Sequence, residues 1–155
     1  MYRNGIEIPK FRTISFKIAK YMNMNFWNIR DLYGVNLYII HNRGKMGTKS
    51  LLRLGYYSGL ELESILMFKP YTKINRPKCD SVEKELQQYK KNLIKNIKEI
   101  KKENKMTFFE LGFNIGVNEH LLSQYCTGHR NLFLNIPGIL GLRRLSKRTV
   151  DELFE

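Results

Sequence analysis

The chain has 155 residues, with 27 Lys and Arg against 14 Asp and Glu, so its formal net charge is +13 and its pI is near 9.8. This charge excludes an acidic mimic of nucleic acid and favours a phosphate-rich partner, nucleic acid before an anionic membrane surface. Hydrophobic residues make up 43% of the chain, which is enough to build cores and excludes global disorder.

The sequence predicts a cytoplasmic protein that does not enter a membrane. No apolar segment follows Met1, so no signal peptide is expected, and no apolar run approaches the ~20 residues that span a bilayer. Cys79 and Cys126 are 47 positions apart with no CxxC motif, which fits reduced thiols better than a disulfide framework.

The charge is unevenly distributed along the chain. Residues 1–78 hold 14 basic and 4 acidic residues, whereas residues 79–155 hold 13 basic and 10 acidic residues. The two halves are therefore expected to differ in partner, or in how much of the partner each touches.

An internal repeat accompanies this division. The segment 24–29 (MNFWNI) matches 106–111 (MTFFEL) at an offset of 82, and Gly-Val-Asn recurs at 34–36 and 116–118 with the same offset. The matched residues are apolar, glycine and helix-capping types in the same order. They predict two copies of a helical unit of about 55–60 residues.

The first copy, a domain over residues 1–69, is predicted to hold five short helices. Thr13 caps a helix over 14–22, Asn25 one over 26–33 and Asn36 one over 37–42, and further helices cover 48–58 and 61–68. Pro70 and Pro77 then bound a basic linker over 70–80, because proline does not continue a helix.

The second domain, residues 81–155, opens with a long amphipathic helix over 81–102, which begins at a capping box (Asp80 to Glu83). Further capping boxes begin at Thr107 and Thr149, Asn118 caps a helix that ends near Cys126, and Pro137 suits the first turn of a helix that ends near Leu145. The long helix is also a candidate surface for a homodimer.

Residues 93–155 resemble the Cro/CI-type (XRE) helix-turn-helix family of repressors. The resemblance rests on Thr107, Leu111, Gly112, the run 115–118 (IGVN), Leu122, Ser123, Tyr125, the run 128–130 (GHR), Leu153 and Phe154. It implies an all-α fold of two small, lambda-repressor-like helix-turn-helix bundles joined by the linker and the long helix. It also implies that Gly112 lies where two helices cross closely.

The resemblance implies double-stranded DNA as partner, with the helix after Asn118 in the major groove. Glu119, His120 and Gln124 then face the bases, where Gln124 suits adenine, His120 a purine edge and Glu119 the cytosine amino group. Contacts to the DNA backbone are expected from Thr107, Phe108, Asn118, His129 and Arg130, with added charge from Arg143, Arg144, Lys147 and Arg148.

The first copy matches the family less well. Its base-facing positions fall on Leu37, Tyr38 and Asn42, and Arg30 stands where a small residue is expected. Two interpretations stay open: backbone contact with DNA through Arg43, Lys45, Lys49 and Arg53, or contact with a protein through Leu37 and Tyr38.

Other chemistry finds little support in the sequence. The CxxH run from Cys126 to His129 lacks a matching pair of ligands, so no metal is expected. No enzyme and no cofactor are expected, because the three histidines have no nucleophile or carboxylate pattern around them and no phosphate-binding glycine motif is present. Trp27 and Phe26 are expected to pack in a core or against a neighbouring helix, and His41 to be solvated.

The sequence thus favours a sequence-specific DNA-binding protein, a transcriptional repressor of a mobile genetic element that occludes a promoter. The alternative is a phage- or plasmid-encoded inhibitor that binds a host defence protein, for instance a CRISPR effector nuclease, and uses one helix-turn-helix unit for autoregulation. An RNA binder would share the charge, but no RRM, KH or double-strand-binding pattern is present.

Overall fold

The fold is helical, as the composition and periodicity predict. The computed structural model describes residues 2–3, 6–75, 78–128 and 133–155. Within these ranges the extended structure is confined to two-residue antiparallel strands, β1 (Tyr2–Arg3) and β2 (Ile6–Glu7), and a single bridge between Leu60 and Lys73.

The helices fall into two runs of the same order. The first run comprises α1 (Phe11–Met22), α2 (Phe26–Tyr33), α3 (Leu37–Arg43), α4 (Thr48–Ser58) and α5 (Leu62–Ile65). The second comprises α6 (Val82–Glu103), α7 (Phe108–Ile115), α8 (Glu119–Cys126), α9 (Ile136–Ser146) and α10 (Val150–Leu153).

The corresponding helices α2 and α7 both begin at a side-chain cap and end at a glycine. Asn25 accepts the Asn28 amide at the start of α2, and Thr107 accepts the Glu110 amide at the start of α7. Gly34 and Gly116 end these helices in the left-handed conformation, which glycine adopts without steric cost. The starts of α2 and α7, and of α3 and α8, are 82 residues apart, whereas the starts of α4 and α9, and of α5 and α10, are 88 residues apart.

Contacts divide the chain into two compact units. The N-terminal unit is Pro9–Leu86, and the C-terminal unit is Met1–Ile8 with Gln87–Glu155, so the division falls inside α6. It differs from the division proposed from sequence (1–69, 70–80, 81–155), because residues of the expected linker pack on the N-terminal unit. The amide of Glu61 donates to the carbonyl of Thr72 at 2.8 Å, and the amide of Ile74 donates to that of Gly59 at 2.7 Å. Pro77 lies outside the described residues.

Three helix ends differ from the sequence prediction. Helix α1 begins at Phe11, whose side chain is buried, so Thr13 is an exposed position inside the helix and not its cap. Helix α5 ends at Ile65, because Met67 adopts a left-handed φ of 69°. Ser81, not Asp80, caps α6 by accepting the Lys84 amide at 3.3 Å, while Asp80 pairs with the Lys84 ammonium.

Two glycines allow close packing within the C-terminal unit. A Cβ at Gly112 on α7 would lie 2.3 Å from the carbonyl oxygen of Val117, and one at Gly141 on α9 would lie 2.7 Å from the Cβ of Ile115. The close crossing expected at Gly112 is therefore present, and it seats α8 against α7.

The apolar stripe of α6 is covered within the chain. Its residues are buried: Leu86, Tyr89, Leu93, Ile97 and Ile100. The stripe itself is thus not available to a second copy of the chain, and a homodimer through the long helix stays a prediction. Among the described residues, no helix is both long and apolar enough to cross a bilayer.

Candidate nucleic-acid interface

Helix α8 presents one polar edge to solvent and packs the opposite face into the C-terminal unit. Its cap, Asn118, accepts the amides of His120 at 2.9 Å and Leu121 at 3.3 Å, so the side chain of Asn118 is engaged in holding the helix start. Leu122, Tyr125 and Cys126 are buried. Glu119 and His120 are exposed and Gln124 is half-exposed, so the predicted base-facing residues lie together on the accessible side.

Two of these residues are joined to each other. The Gln124 Nε2 and the His120 Nε2 are 3.1 Å apart, one helical turn from each other. The amide of Gln124 donates when the imidazole proton is on Nδ1. This contact holds the Gln124 amide on the accessible side of α8, and a glutamine amide carries the donor and acceptor types that match an adenine edge.

The N-terminus of α7 already holds a carboxylate. The Glu110 Oε1 accepts the Thr107 amide at 3.3 Å, and the Glu110 amide donates to the Thr107 hydroxyl at 3.1 Å. A phosphate at this helix end would lie beside the Glu110 charge. Lys101 on α6 partly compensates this negative charge, because its Nζ lies 4.8 Å from the Phe108 ring centre. The sequence alone did not assign this lysine to the site.

The basic residues after α8 divide into two groups. Arg144 and Lys147 are exposed and Arg143 is half-buried. Arg148 instead pairs with Glu103 at 2.8 Å and Glu99 at 3.5 Å, so its charge is used within the unit and not for DNA as the sequence suggested. His129 and Arg130 lie outside the described residues.

In the N-terminal unit, the corresponding helix presents different residues. Leu37 is fully buried, because α3 packs on α1 and turns this position inward. The prediction that Leu37 contacts DNA or a protein is therefore wrong. Tyr38 is 52% exposed and Asn42 is exposed, so these two remain accessible.

An exposed aromatic cluster lies beside Tyr38. Trp27 is 56% exposed and therefore lies outside the core. Its ring stacks on that of Tyr38 on the neighbouring helix, at 6.0 Å between centroids. The Arg30 guanidinium lies 4.5 Å from the Trp27 ring centre. Phe109, the repeat equivalent of Trp27, is also exposed, so this helix position points outward in both units.

Three of the four cations predicted to contact DNA from the N-terminal unit are exposed: Arg43, Lys45 and Lys49. Arg53 differs, because its guanidinium pairs with the Glu83 carboxylate at 3.0 Å and its side chain is only 20% exposed. The prediction that Arg53 contacts the DNA backbone is not supported by this geometry.

The two remaining candidate groups are His41, which packs against aromatic rings, and Cys126, which is buried. His41 is not solvated as expected, since its ring packs 4.6 Å from that of Phe16 and 6.3 Å from that of Phe26. Burial raises the pKa of the Cys126 thiol to about 11, so this group is neutral at physiological pH. Within residues 2–3, 6–75, 78–128 and 133–155, no cluster of three or more His, Cys, Asp or Glu could hold a metal ion.

Comparison with known proteins adds no family to this description. No family model matches the chain. No curated protein and no solved structure matches it either. The functional interpretation rests on the geometry and charges above.

Proposed function

We propose that the chain binds double-stranded DNA with sequence preference through α8. The observation that carries the proposal is the exposed edge of a capped, well-seated helix that brings Glu119, His120 and Gln124 to one side. All three carry hydrogen-bonding groups matched to base edges, and the major groove admits an α-helix.

The proposed arrangement is a tandem pair of helix-turn-helix bundles of the Cro/CI type, with α7–α8 and α2–α3 as the paired helices. The recurrence of five helices in one order supports it, as do the capping asparagines Asn36 and Asn118 and the turn glycines Gly34 and Gly116. The close approach at Gly112 fits the same arrangement, because that family needs a small residue there.

The N-terminal unit is proposed to bind the phosphate backbone. Arg43, Lys45 and Lys49 are exposed, and the residue at the start of α3, Leu37, is buried and has no polar group for a base. Such contacts add salt-dependent affinity but little sequence information. The biological role proposed with this chemistry is repression by occlusion of a promoter.

A second candidate function is binding to a host protein, which the exposed Trp27, Arg30 and Tyr38 favour. These three residue types dominate the energetic centres of protein interfaces. If the W27A/Y38E double variant loses biological activity while its affinity for DNA is unchanged, this second function is supported over repression.

The proposed function is tested by measuring affinity for a duplex selected from random DNA and for a scrambled duplex at two salt concentrations. We expect the selected duplex to bind at least tenfold more tightly at both concentrations, with both affinities falling steeply as salt rises. Equal affinity for the two duplexes at both concentrations would contradict sequence-specific binding.

A further inference from the structure

A cleft in the N-terminal unit, distinct from the α2–α3 surface, carries groups that the proposed function does not use. It has a volume of about 870 Å³, and its lining includes Lys17, Lys20, Tyr21, Phe68, Lys69 and Tyr71. That volume lies in the range of small-molecule sites, which are largely apolar with a few polar groups.

The charge of the cleft favours an anion. Lys69 pairs with the Glu61 carboxylate at 2.7 Å. Lys17 and Lys20 are exposed and three residues apart on α1, so their ammonium groups lie on the same side of the helix. The cleft therefore holds two further positive charges that can attract an anionic group from the same direction.

The aromatic residues of the cleft favour a planar ring. The rings of Tyr21 and Tyr71 meet edge to face with centroids 5.1 Å apart. The Tyr21 side chain is 39% exposed, so its ring is accessible from the cleft.

In the C-terminal unit, the equivalent face of α6 forms ion pairs within the chain. At the offset of 82, Lys17 corresponds to Glu99 and Tyr21 to Glu103. Both carboxylates bind Arg148, at 3.5 Å and 2.8 Å. The N-terminal unit has lysine and tyrosine at these positions, so its α1 face has the opposite charge and lines an open cleft.

We propose that this cleft binds a nucleotide, with a phosphate between Lys17 and Lys20 and the base against the rings of Tyr21 and Phe68. Lysine ammonium groups bind phosphate as point charges, and tyrosine and phenylalanine rings pack well against a base. This site is separate from the DNA interface, so its occupancy can be tested independently of DNA binding.

The test is isothermal titration of the full chain with ATP, inorganic triphosphate and adenosine at one fixed salt concentration. We expect ATP to bind at least tenfold more tightly than either of the other two, because each of them lacks half of the recognised groups. The K17Q/K20Q double variant should weaken ATP binding at least tenfold, and Tyr21→Ala should weaken it several-fold while leaving triphosphate binding unchanged.

Lys49→Gln is the matched control, since it removes an exposed lysine of the same unit outside the cleft. Its ATP affinity should stay within twofold of the parent chain. If Lys49→Gln weakens ATP as much as the cleft variants, or if triphosphate binds as tightly as ATP, ordinary attraction of anions to a basic chain explains the binding and the site is overturned. Absence of ATP binding at millimolar concentration would overturn it as well.

Discussion

The two units use the same local structure to present different surfaces. Helices α3 and α8 both follow a glycine-terminated helix and both begin at a capping asparagine, Asn36 or Asn118. Yet the first residue of α3 is buried Leu37, whereas the first residue of α8 is exposed Glu119. Capping therefore determines where these helices begin, and packing against neighbouring helices determines which side is available to a partner.

The charges around the two helices also differ. The N-terminal unit exposes Arg43, Lys45 and Lys49 at and after the end of α3, while the C-terminal unit has carboxylates at the start of both α7 (Glu110) and α8 (Glu119). In the proposed complex, the N-terminal unit contributes phosphate contacts and the C-terminal unit contributes base recognition. Three of the predictions below compare one repeat position with its counterpart.

The largest difference in stability is expected between substitutions at the first residues of α3 and α8. Leu37→Ala should lower the free energy of unfolding by about 2–5 kcal/mol, since it removes a fully buried side chain from the core. Glu119→Ala should cost less than about 1 kcal/mol, because this side chain is exposed at a helix start. Urea denaturation measures both, and equal costs would contradict the difference in packing.

The next comparison concerns the crossing of α7 and α8. Gly112→Ala should destabilise the chain by about 3 kcal/mol, because the added Cβ would lie 2.3 Å from a backbone carbonyl oxygen that cannot easily move. Arg30→Ala at the equivalent position of α2 should cost less than about 1 kcal/mol, as Arg30 is exposed. Thermal unfolding followed by circular dichroism measures the stability of both variants. A loss of stability in Gly112→Ala as small as that in Arg30→Ala would show that α7 and α8 do not cross so closely.

A smaller effect on stability is expected at alkaline pH, from the buried thiol of Cys126. The pKa of the buried Cys126 thiol is raised from 9.0 to about 11 in the folded chain. Because the folded state holds this proton to higher pH, the stabilisation is complete below pH 9 and is lost as pH rises toward 11, by about 2 kcal/mol. Urea denaturation across this range should show a shallower decline in Cys126→Ala, and identical slopes would mean that the thiol does not titrate there.

The features that sequence predicts well here are those controlled by neighbours along the chain. The caps at Asn25, Thr107 and Asn118 depend on side chains within three residues, so helix starts follow directly from the residue types. The exposed edge of α8 follows from the spacing of Leu122, Tyr125 and Cys126, which are buried as an amphipathic helix requires.

The features that sequence does not predict depend on distant residues. Leu37 is buried because α3 meets α1, and the pairing of Arg53 with Glu83 joins positions 30 residues apart. Arg148 reaches Glu103 over 45 residues. A count of cations along the sequence treats Arg53 and Arg148 as available to DNA, whereas both form ion pairs in the folded chain.

The central claim is that the exposed edge of α8 recognises base pairs, and the most direct test is a selection of bound duplexes from random DNA with the parent chain, Gln124→Ala and Asn42→Ala. We expect the parent chain to enrich a defined sequence. Gln124→Ala should lose discrimination at one base pair, by about 1–3 kcal/mol, while Asn42→Ala at the equivalent position of α3 keeps the parent preference. If Gln124→Ala enriches the same sequence as strongly as the parent chain, α8 does not contact those bases and the account is wrong.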